Sequence, residues 1–537
     1  MFWNYALLVD FRNILCYNNG MDNKNDSGTR TTEMVTISRA EYEDLKAQNQ
    51  WLMEQLRLIR KKQFGSSSEK ASEEVLEQLS LLFNEAEVYA AETETEETAP
   101  AVEVRSHTRK KSGSVKDVVP KDIPVQVVEH RIPEAELTCP QCGSQMTVIG
   151  KEIRESLVLK RAEVYLRQDV YYTYACQTCN KEDISTPVVK TPKEPSIIPG
   201  SYASPEAVAY IAVQKFVMCA PLYRQEADWN RRKIMLSRQT MANWLIRCAK
   251  DWFSPIYEEL HKELLARELL HSDETSIQVL HEDGKTPQSK SSMWLYRTSG
   301  DAKHPVVLYE YQPGKNSDYP KAFLKGFHGY LQTDGASYYN NVEDVTHVGC
   351  WAHLRRKFED ARNAMPKGKR SPTAEQGVAY CTKLFELEKS FQKLKPTERK
   401  KKRLEQEKPV LDAMLAWANT RHAAPKSKLG IALTYLNNQW TYLNNYLLDG
   451  RIELSNNRAE RSIKPFVMSR KNFLFANTPK GAQSSAVIFS LIETAKENGL
   501  DPYRYLTWAL QMAPKLDRSR DEWAEALLPW NAPESCR

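Results

Sequence analysis

The chain of 537 residues is 41% hydrophobic and 27% charged, and it carries a formal net charge of +6. These values are ordinary for a soluble globular protein, and the length predicts roughly three to five domains. No apolar run reaches the roughly 18 residues of a membrane span, so we expect no membrane-spanning helix. The apolar start lacks a basic segment and is interrupted by Asp10 and Arg12, so we expect no secretory signal.

Residues 1–33 are interpreted as a leader, either disordered or an upstream extension, because Met21 and Met34 both precede plausible starts. The seven-residue repeat within residues 34–64 predicts a coiled-coil helix. Asn49 lies at a core position of this repeat, where it would favour a dimer. A surface amphipathic helix is the alternative. The two series that recur every seven positions are Leu45, Leu52 and Ile59, and Tyr42, Asn49 and Leu56. Residues 65–101 read as a helix followed by an acidic linker.

Residues 102–195 predict short Val- and Tyr-rich strands with two Cys-x-x-Cys pairs at their turns. Four thiolates suit a tetrahedral structural zinc ion, which makes a zinc-ribbon-like domain the favoured interpretation. Reduced cysteines in turns and a redox pair are the alternatives. The other six of the ten cysteines are scattered without disulfide spacing, and this pattern predicts a reducing compartment, the cytoplasm. The predicted zinc ligands are Cys139, Cys142, Cys176 and Cys179.

Residues 196–262 are predicted to be helical and to contain a helix-turn-helix-like pair, PLYRQEADWN and SRQTMANWLIRCA. Ser237 would cap the second helix, while Met241, Trp244 and Leu245 would face the core. The exposed beginning of such a helix meets the edges of DNA bases. A helical hairpin that joins two domains is the alternative. The candidate DNA contacts are Arg238, Gln239, Thr240 and Asn243.

From about residue 265 we predict three strands, a helix at SDYPKAFLKGF, a fourth strand at GYLQTDG and a long helical stretch. Three carboxylates stand out as candidates for binding two Mg²⁺ ions in phosphoryl transfer. Asp273 lies inside an apolar strand, Asp334 at a strand end and Glu460 at a helix start capped by one of residues 455–457. Glu274 and Glu453 compete with them, and spacing alone does not show that the three converge.

Basic residues surround these acids. Arg458, Arg461 and Lys464 would share one face of the helix that carries Glu460, which suits a phosphodiester backbone. In the segment CWAHLRRK, we expect the side chains of His353 and Arg356 to face DNA. A metal site built from His347, Cys350 and His353 is a weaker alternative.

The chain resembles the large transposase of the insertion-sequence-66 family. The resemblance covers roughly residues 37–510 and departs from the family pattern before about residue 34. The matching segments, in the family's order, are KQFGSSSEK, CPQCG…CQTC, PLYRQEADW…LSRQTMANW, HSDET, LQTDGASYY, GCWAHLRRKF, LSNNRAERSIKPFVMSRKNFLF and ETAKENGLDPYRYL. Together these segments are highly specific, although none of them would be so alone.

The resemblance implies an RNase H-like catalytic domain, a mixed sheet with flanking helices, over 263–495. A helical insertion at about 366–450 would interrupt it, and 496–537 would form a tail. Asp273, Asp334 and Glu460 would be the catalytic triad, with Mg²⁺ or Mn²⁺ as cofactor. Expected partners are transposon ends, target DNA, a second copy of the chain and accessory transposition proteins, in a bacterial cytoplasm near the nucleoid. The alternatives are a non-catalytic DNA-binding regulator and a structure-selective nuclease.

Overall fold

The computed structural model describes residues 48–49, 51–55, 164–175, 188–190, 192–366, 369–520 and 522–537. The leader, most of the predicted coiled coil, the acidic linker and all four predicted zinc ligands lie outside the described residues: Cys139, Cys142, Cys176 and Cys179. Internal contacts divide the chain into two units. One comprises 1–70, 209–506 and 524–537, and the other comprises 71–208 and 507–523.

A two-stranded antiparallel ladder lies in the second unit, in the region predicted to form the zinc ribbon. Strand β1 (Thr173–Ala175) pairs with β2 (Val188–Lys190). The predicted ligand Cys176 follows β1 directly in the sequence.

Within the described residues 192–268, four α-helices precede the main sheet: α1 (Pro205–Phe216), α2 (Leu222–Arg231), α3 (Arg238–Cys248) and α4 (Ser254–Leu265). A short π-helical stretch, Ala249–Phe253, joins the last two of them. The predicted cap of α3 is confirmed, because the Ser237 side chain accepts a hydrogen bond from the backbone N–H of Thr240 at 3.1 Å. The three residues predicted to face the core are buried: Met241, Trp244 and Leu245.

The main sheet has five strands: β3 (Leu269–Gln278), β4 (Lys290–Thr298), β5 (Val307–Gln312), β6 (Gly329–Gln332) and β7 (Val345–Val348). Helix α5 (Asp318–Phe323) connects β5 to β6. The spatial order is β5-β4-β3-β6-β7, with β3, β4 and β5 antiparallel and β3, β6 and β7 parallel. The sequence predicted the first four strands but not β7. Strand β3 is central and mostly buried, so its side chains need partners within the protein.

The helical stretch predicted at about 366–450 is present. It contains α7 (Pro372–Phe391), α8 (Pro396–Lys402), α9 (Lys408–Asn419) and α10 (Lys428–Asn444), and it follows α6 (Trp351–Asn363). We call the segment from α7 to α10 the insertion. Its apolar faces form one buried cluster with α6, in which Trp351, Leu411 and Leu436 are inaccessible to solvent. The insertion is therefore packed on α6 through this cluster, which also includes Leu269 of β3 and Val348 of β7.

Three helices complete the described chain: α11 (Asn457–Phe473), α12 (Pro479–Glu497) and α13 (Pro502–Met512). Helix α12 covers the outer edge of the sheet. The side-chain oxygens of Thr494 and Ser490 accept hydrogen bonds from the backbone N–H groups of Val307 and Tyr309 at 3.0 and 2.8 Å. These bonds satisfy edge-strand groups that would otherwise pair with another chain. Among the described residues, no helix is long and apolar enough to cross a membrane.

Arg403 forms a buried link between the insertion and the segment that leads into α11. Its guanidinium group is fully buried and contacts both carboxylate oxygens of Glu388. It also donates hydrogen bonds to the backbone carbonyls of Tyr446, Asp449 and Ile452, at 2.8, 3.0 and 2.8 Å. A buried guanidinium is tolerated only when its donors are satisfied in this way. Arg403 thereby fixes the chain between α10 and α11.

Glu407 lies beside this link and makes the stability of the fold sensitive to pH. It accepts a hydrogen bond from the Tyr446 hydroxyl at 2.8 Å. Burial, and then the charge of Glu388, raise the pKa of Glu407 from 4.5 to about 8. A raised pKa means that the folded chain holds this proton more tightly than the unfolded chain does. The resulting stabilisation is fully present below about pH 4.5 and is lost as the pH rises through about 8.

We therefore expect Glu407→Gln to gain stability relative to the wild type as the pH rises from about 5 to about 9. Glutamine keeps the size of the side chain but has no proton to lose. Denaturant unfolding over a pH series measures this difference. Glu405→Gln, an exposed neighbour, is the control and should not change the pH dependence in this way. Parallel pH curves for Glu407→Gln and the wild type would contradict the assignment.

Candidate active site

Asp273 lies in the middle of β3, where it pairs with Leu295 of β4. Its carboxylate accepts a hydrogen bond from the backbone N–H of Glu274 at 2.8 Å. Burial raises the pKa of Asp273 well above its usual value. The negative charges of Glu274, Glu460 and Asp334 raise it further. Asp273 thus lies within electrostatic reach of both other predicted acids, although they come from distant parts of the sequence.

Asp334 lies in the loop that follows β6. Its carboxylate accepts a hydrogen bond from the backbone N–H of Ala336 at 2.9 Å, and the intervening Gly335 has a φ of +87°, which favours glycine. Burial raises the pKa of Asp334. The Ala336 N–H and the positive charges of Lys315 and Lys357 oppose that rise. This acid is therefore held by a tight turn, with two lysines near it.

Helix α10 of the insertion supports the Asp334 loop. The Tyr435 hydroxyl donates a hydrogen bond to the backbone carbonyl of Asp334 at 2.7 Å. The Gln439 side-chain amide donates to the carbonyl of Gly335 at 3.3 Å. Both bonds act on the backbone, so the insertion fixes the position of this acid without contacting its carboxylate.

Glu460 lies in the first turn of α11 and is 7% exposed. Asn456 occupies the N-cap position, but its side chain does not cap the helix. Its amide nitrogen instead donates to the backbone carbonyl of Ser272 at 2.8 Å, and its amide oxygen lies 3.0 Å from Nδ1 of His271. The start of α11 is thereby tied to β3 just before Asp273. This tie sets the position of Glu460 relative to Asp273.

Two residues of α6, His353 and Arg356, lie beside Glu460 rather than on an open surface. Nδ1 of His353 is 3.4 Å from Oε1 of Glu460, and Nη2 of Arg356 is 3.9 Å from Oε2. Their side chains are only 18% and 19% exposed. Cys350, at the start of the same helix, is buried near the same carboxylate. His347, which the sequence grouped with Cys350 and His353, packs instead against Tyr442.

Glu274, one of the two competing acids, is held by three neighbours. Its carboxylate accepts hydrogen bonds from the hydroxyls of Tyr338 and Tyr339, the latter at 2.9 Å, and from Lys315 at 3.0 Å. Burial, and then the charge of Asp334, raise the pKa of Glu274 to about 7. Side-chain donors engage both of its oxygens, whereas the hydrogen bond described for the Asp273 carboxylate comes from a backbone N–H.

Glu453, the other competitor, is an ion-paired carboxylate. Nε of Arg458 lies 2.6 Å from its Oε1. Burial raises the pKa of Glu453, but the positive charges around it outweigh this effect and lower it overall. A carboxylate already neutralised by arginine is a weaker candidate for binding a cation than Glu460.

The predicted DNA contacts differ in accessibility. Arg461 and Lys464 are exposed on α11, whereas Arg458 is partly buried in its pair with Glu453. At the beginning of α3, Thr240 is partly buried and the other three candidates are exposed: Arg238, Gln239 and Asn243. Arg238 lies next to Glu226, whose carboxylate accepts the Arg238 backbone N–H at 2.9 Å.

Sequence reasoning missed the residues that support the acids from a distance. Tyr435 and Gln439 carried no motif, and Lys315 lies in a loop without a pattern. Asn456 was one of three candidates for the helix cap, but the role of its side chain on β3 had no sequence signal. The Cys350-x-x-His353 spacing was noticed, whereas its proximity to Glu460 was not.

Comparisons with known proteins match four family models to successive parts of the chain. The model of the transposase IS66 family matches residues 200–484. The model described as "Transposase C of IS166 homeodomain" matches 51–128, the zinc-finger binding domain of transposase IS66 matches 136–180, and the IS66 C-terminal element matches 490–530.

Three relatives come from Sinorhizobium fredii. The uncharacterized protein y4hP is 30% identical over 502 residues, which cover 88% of this chain and 87% of the relative. The uncharacterized protein y4qI is 29% identical, with 89% and 88% covered. The uncharacterized protein y4jD is 29% identical, with 73% and 78% covered. These matches confirm the resemblance seen in the motifs, and the chain belongs to the transposase IS66 family.

Proposed function

We propose that this chain is a DDE transposase that binds the terminal inverted repeats of an insertion sequence and catalyses metal-dependent strand cleavage and strand transfer. Asp273, Asp334 and Glu460 are its catalytic carboxylates. The observation that carries the proposal is the coupling at Asp273, whose pKa is raised by burial and by the charges of both other acids. Buried carboxylates that repel one another without a fixed cation are typical of a site that works with a bound one.

The donor set fits Mg²⁺ or Mn²⁺, because such ions prefer carboxylate oxygens. Asp273, Asp334 and Glu460 would hold the ions. When bound, the metal would activate the attacking water or 3′-hydroxyl and stabilise the leaving oxygen. The protein's own part is to hold the three acids on separate rigid supports: β3, the loop braced by α10, and the α11 start tied by Asn456. Lys315 and Lys357 add positive charge near Asp334, where a phosphate would bind.

We propose that the five-stranded sheet is the core of an RNase H-like domain over 263–495. Its antiparallel β3, β4 and β5, followed by parallel β6 and β7, support this interpretation. The helical segment at about 366–450 is then an insertion in that domain. Residues 34–64, 102–195, 196–262 and 496–537 are proposed as the coiled coil, zinc ribbon, helix-turn-helix-like region and tail.

DNA contact is proposed for the beginning of α3 and for the exposed basic residues of α11, since exposed cations of this kind neutralise phosphates. Cys139, Cys142, Cys176 and Cys179 are proposed to hold structural Zn²⁺. The N-terminal helix would join two copies of the chain, and accessory transposition proteins are further candidate partners.

The test is a strand-transfer assay on DNA that carries the element's own ends, with Mg²⁺ or Mn²⁺. We expect nicking at the ends and joining to target DNA, both dependent on the metal. Binding of the ends without cleavage under any divalent metal would favour a regulator. Cleavage of branched DNA without joining would favour a structure-selective nuclease.

Asn456→Ala is expected to slow strand transfer by about 10- to 100-fold while end binding is retained. The variant frees the start of α11 from β3, and a displacement of about 1 Å in a catalytic group costs this much. It also leaves two buried groups on β3 without a partner, each costing about 1–3 kcal/mol. Strand-transfer rates and thermal unfolding measure the two effects. Asn457→Ala is the neighbouring control, and an unchanged rate in Asn456→Ala would refute the positioning role.

A further inference from the structure

A cluster of three potential metal ligands lies where the beginnings of α6 and α11 meet. Sγ of Cys350, a ring nitrogen of His353 and a carboxylate oxygen of Glu460 all lie within 4.8 Å of one another. Three ligands on one tetrahedral Zn²⁺ ion lie roughly 3.3–3.8 Å apart, as follows from Zn–S of about 2.3 Å and Zn–N of about 2.0–2.1 Å. A small decrease in the distances between these three atoms would therefore let all of them coordinate a single ion.

Sγ of Cys350 accepts a hydrogen bond in this cluster. The backbone N–H of Asn456 points at Sγ of Cys350 at 3.1 Å. Burial raises the pKa of the Cys350 thiol to about 12, and the backbone N–H groups of Asn456 and His353 oppose that rise. The thiolate, which is the form that binds metal, would therefore form as the ion displaces the thiol proton.

The imidazole of His353 faces the same point. Nδ1 is buried and forms no hydrogen bond with any described residue, although it lies 3.4 Å from Oε1 of Glu460. A neutral ring nitrogen is a suitable ligand for Zn²⁺.

We propose that Cys350, His353 and Glu460 form a binding site for a thiophilic divalent ion, with Zn²⁺ the best fit, and that zinc there inhibits the DNA reaction by engaging Glu460. Thiolate and imidazole ligands select Zn²⁺ over Mg²⁺. Binding releases the thiol proton to solvent. The proposed inhibition rests on the proposed function, whereas the proposed metal site rests on the positions of the three side chains. The guanidinium of Arg356 lies 3.9 Å from the Glu460 carboxylate. Its positive charge repels the metal ion and limits the affinity of the site for it.

Metal stoichiometry of the full chain tests the site. The protein is reduced, loaded with Zn²⁺ or Co²⁺, and freed of excess metal before analysis. We expect Cys350→Ser to bind one equivalent less than the wild type and to show weaker thiolate-to-cobalt absorption. Cys381→Ser is the matched control, because Cys381 is also buried and free but lies in α7. Cys139→Ser reports separately on the proposed ribbon site.

Glu460→Gln provides a second variant in case serine at position 350 disturbs folding, which thermal unfolding monitors. It preserves the shape of the side chain and should also lower the stoichiometry or the affinity for Co²⁺. Equal stoichiometry and affinity in the wild type, Cys350→Ser and Glu460→Gln would overturn the site.

Inhibition is measured as the Zn²⁺ concentration that halves Mg²⁺-dependent strand transfer, with each protein normalised to its own zinc-free rate. We expect this concentration to be at least tenfold higher for Cys350→Ser than for Cys381→Ser. Equal inhibition of both would refute the inhibitory role while leaving the binding site intact. If the chain catalyses no strand transfer at all, the proposed function fails, and the stoichiometry still decides whether the site exists.

Discussion

Asp273→Asn is expected to abolish strand transfer, with a rate at least about a thousandfold below that of the wild type. Metal-ion catalysis contributes several kcal/mol to the transition state, and each 1.36 kcal/mol corresponds to tenfold in rate. Asparagine keeps the size of the side chain on β3 but removes the charge that would hold the ion. Strand-transfer rates and gel-shift binding of the terminal repeats are the two measurements, and binding should be unchanged.

The stability of the same variant separates lost chemistry from lost folding. In the absence of divalent metal, burial and neighbouring carboxylates disfavour the charge on Asp273. Asp273→Asn should therefore melt at the same temperature as the wild type or higher. Glu453→Gln is the matched carboxylate control, because Glu453 is paired with Arg458 and is not one of the three proposed catalytic acids. Full activity in Asp273→Asn, or an equal loss in Glu453→Gln and Glu460→Gln, would refute the proposed triad.

Arg403→Met should destabilise the fold by about 3–5 kcal/mol, the usual result of removing one partner from a buried ion pair. The substitution leaves Glu388 with a weaker set of partners and three backbone carbonyls without their donor. Unfolding by denaturant, followed by tryptophan fluorescence, measures the shift.

Lys400→Met is the control for Arg403→Met, because Lys400 is exposed on α8. Such surface changes usually alter stability by no more than about 0.5 kcal/mol. We also expect Arg403→Met to reduce the rate of strand transfer more than it reduces binding of the terminal repeats, because Arg403 holds the chain that leads to Glu460. A stability change as small as that of the control would show that the buried link is dispensable.

The sequence predicted the local elements of this fold better than their assembly. The strand-like segments predicted from about residue 265 identified β3 to β6, and Ser237 identified the start of α3. Strand β7 escaped because VTHV is four residues long and half polar, too short for a periodic pattern. The hydrogen bonds from the β5 backbone to Ser490 and Thr494 of α12 could not be predicted either, because hydroxyl groups inside a helix have no distinctive local signal in the sequence.

For the candidate site, too, the local features could be predicted from the sequence but their assembly could not. Each acid could be singled out by its local setting, such as an aspartate in an apolar strand. Their proximity depends on contacts like that of Asn456 with Ser272, which are 184 residues apart in sequence. Local capping rules assigned Asn456 to its own helix, and only packing decides that its amide turns to β3. His353 and Arg356 share a helical face by spacing, but spacing does not tell which carboxylate that face meets.

We expect removal of the insertion to abolish the proposed catalytic activity. Tyr435 and Gln439 hold the turn that carries Asp334, and Arg403 anchors the approach to Glu460. Replacing residues 372–444 with a short linker would remove all three supports, while β3 and Asp273 kept theirs. Attempts to engineer a minimal version of this protein should therefore retain this helical segment.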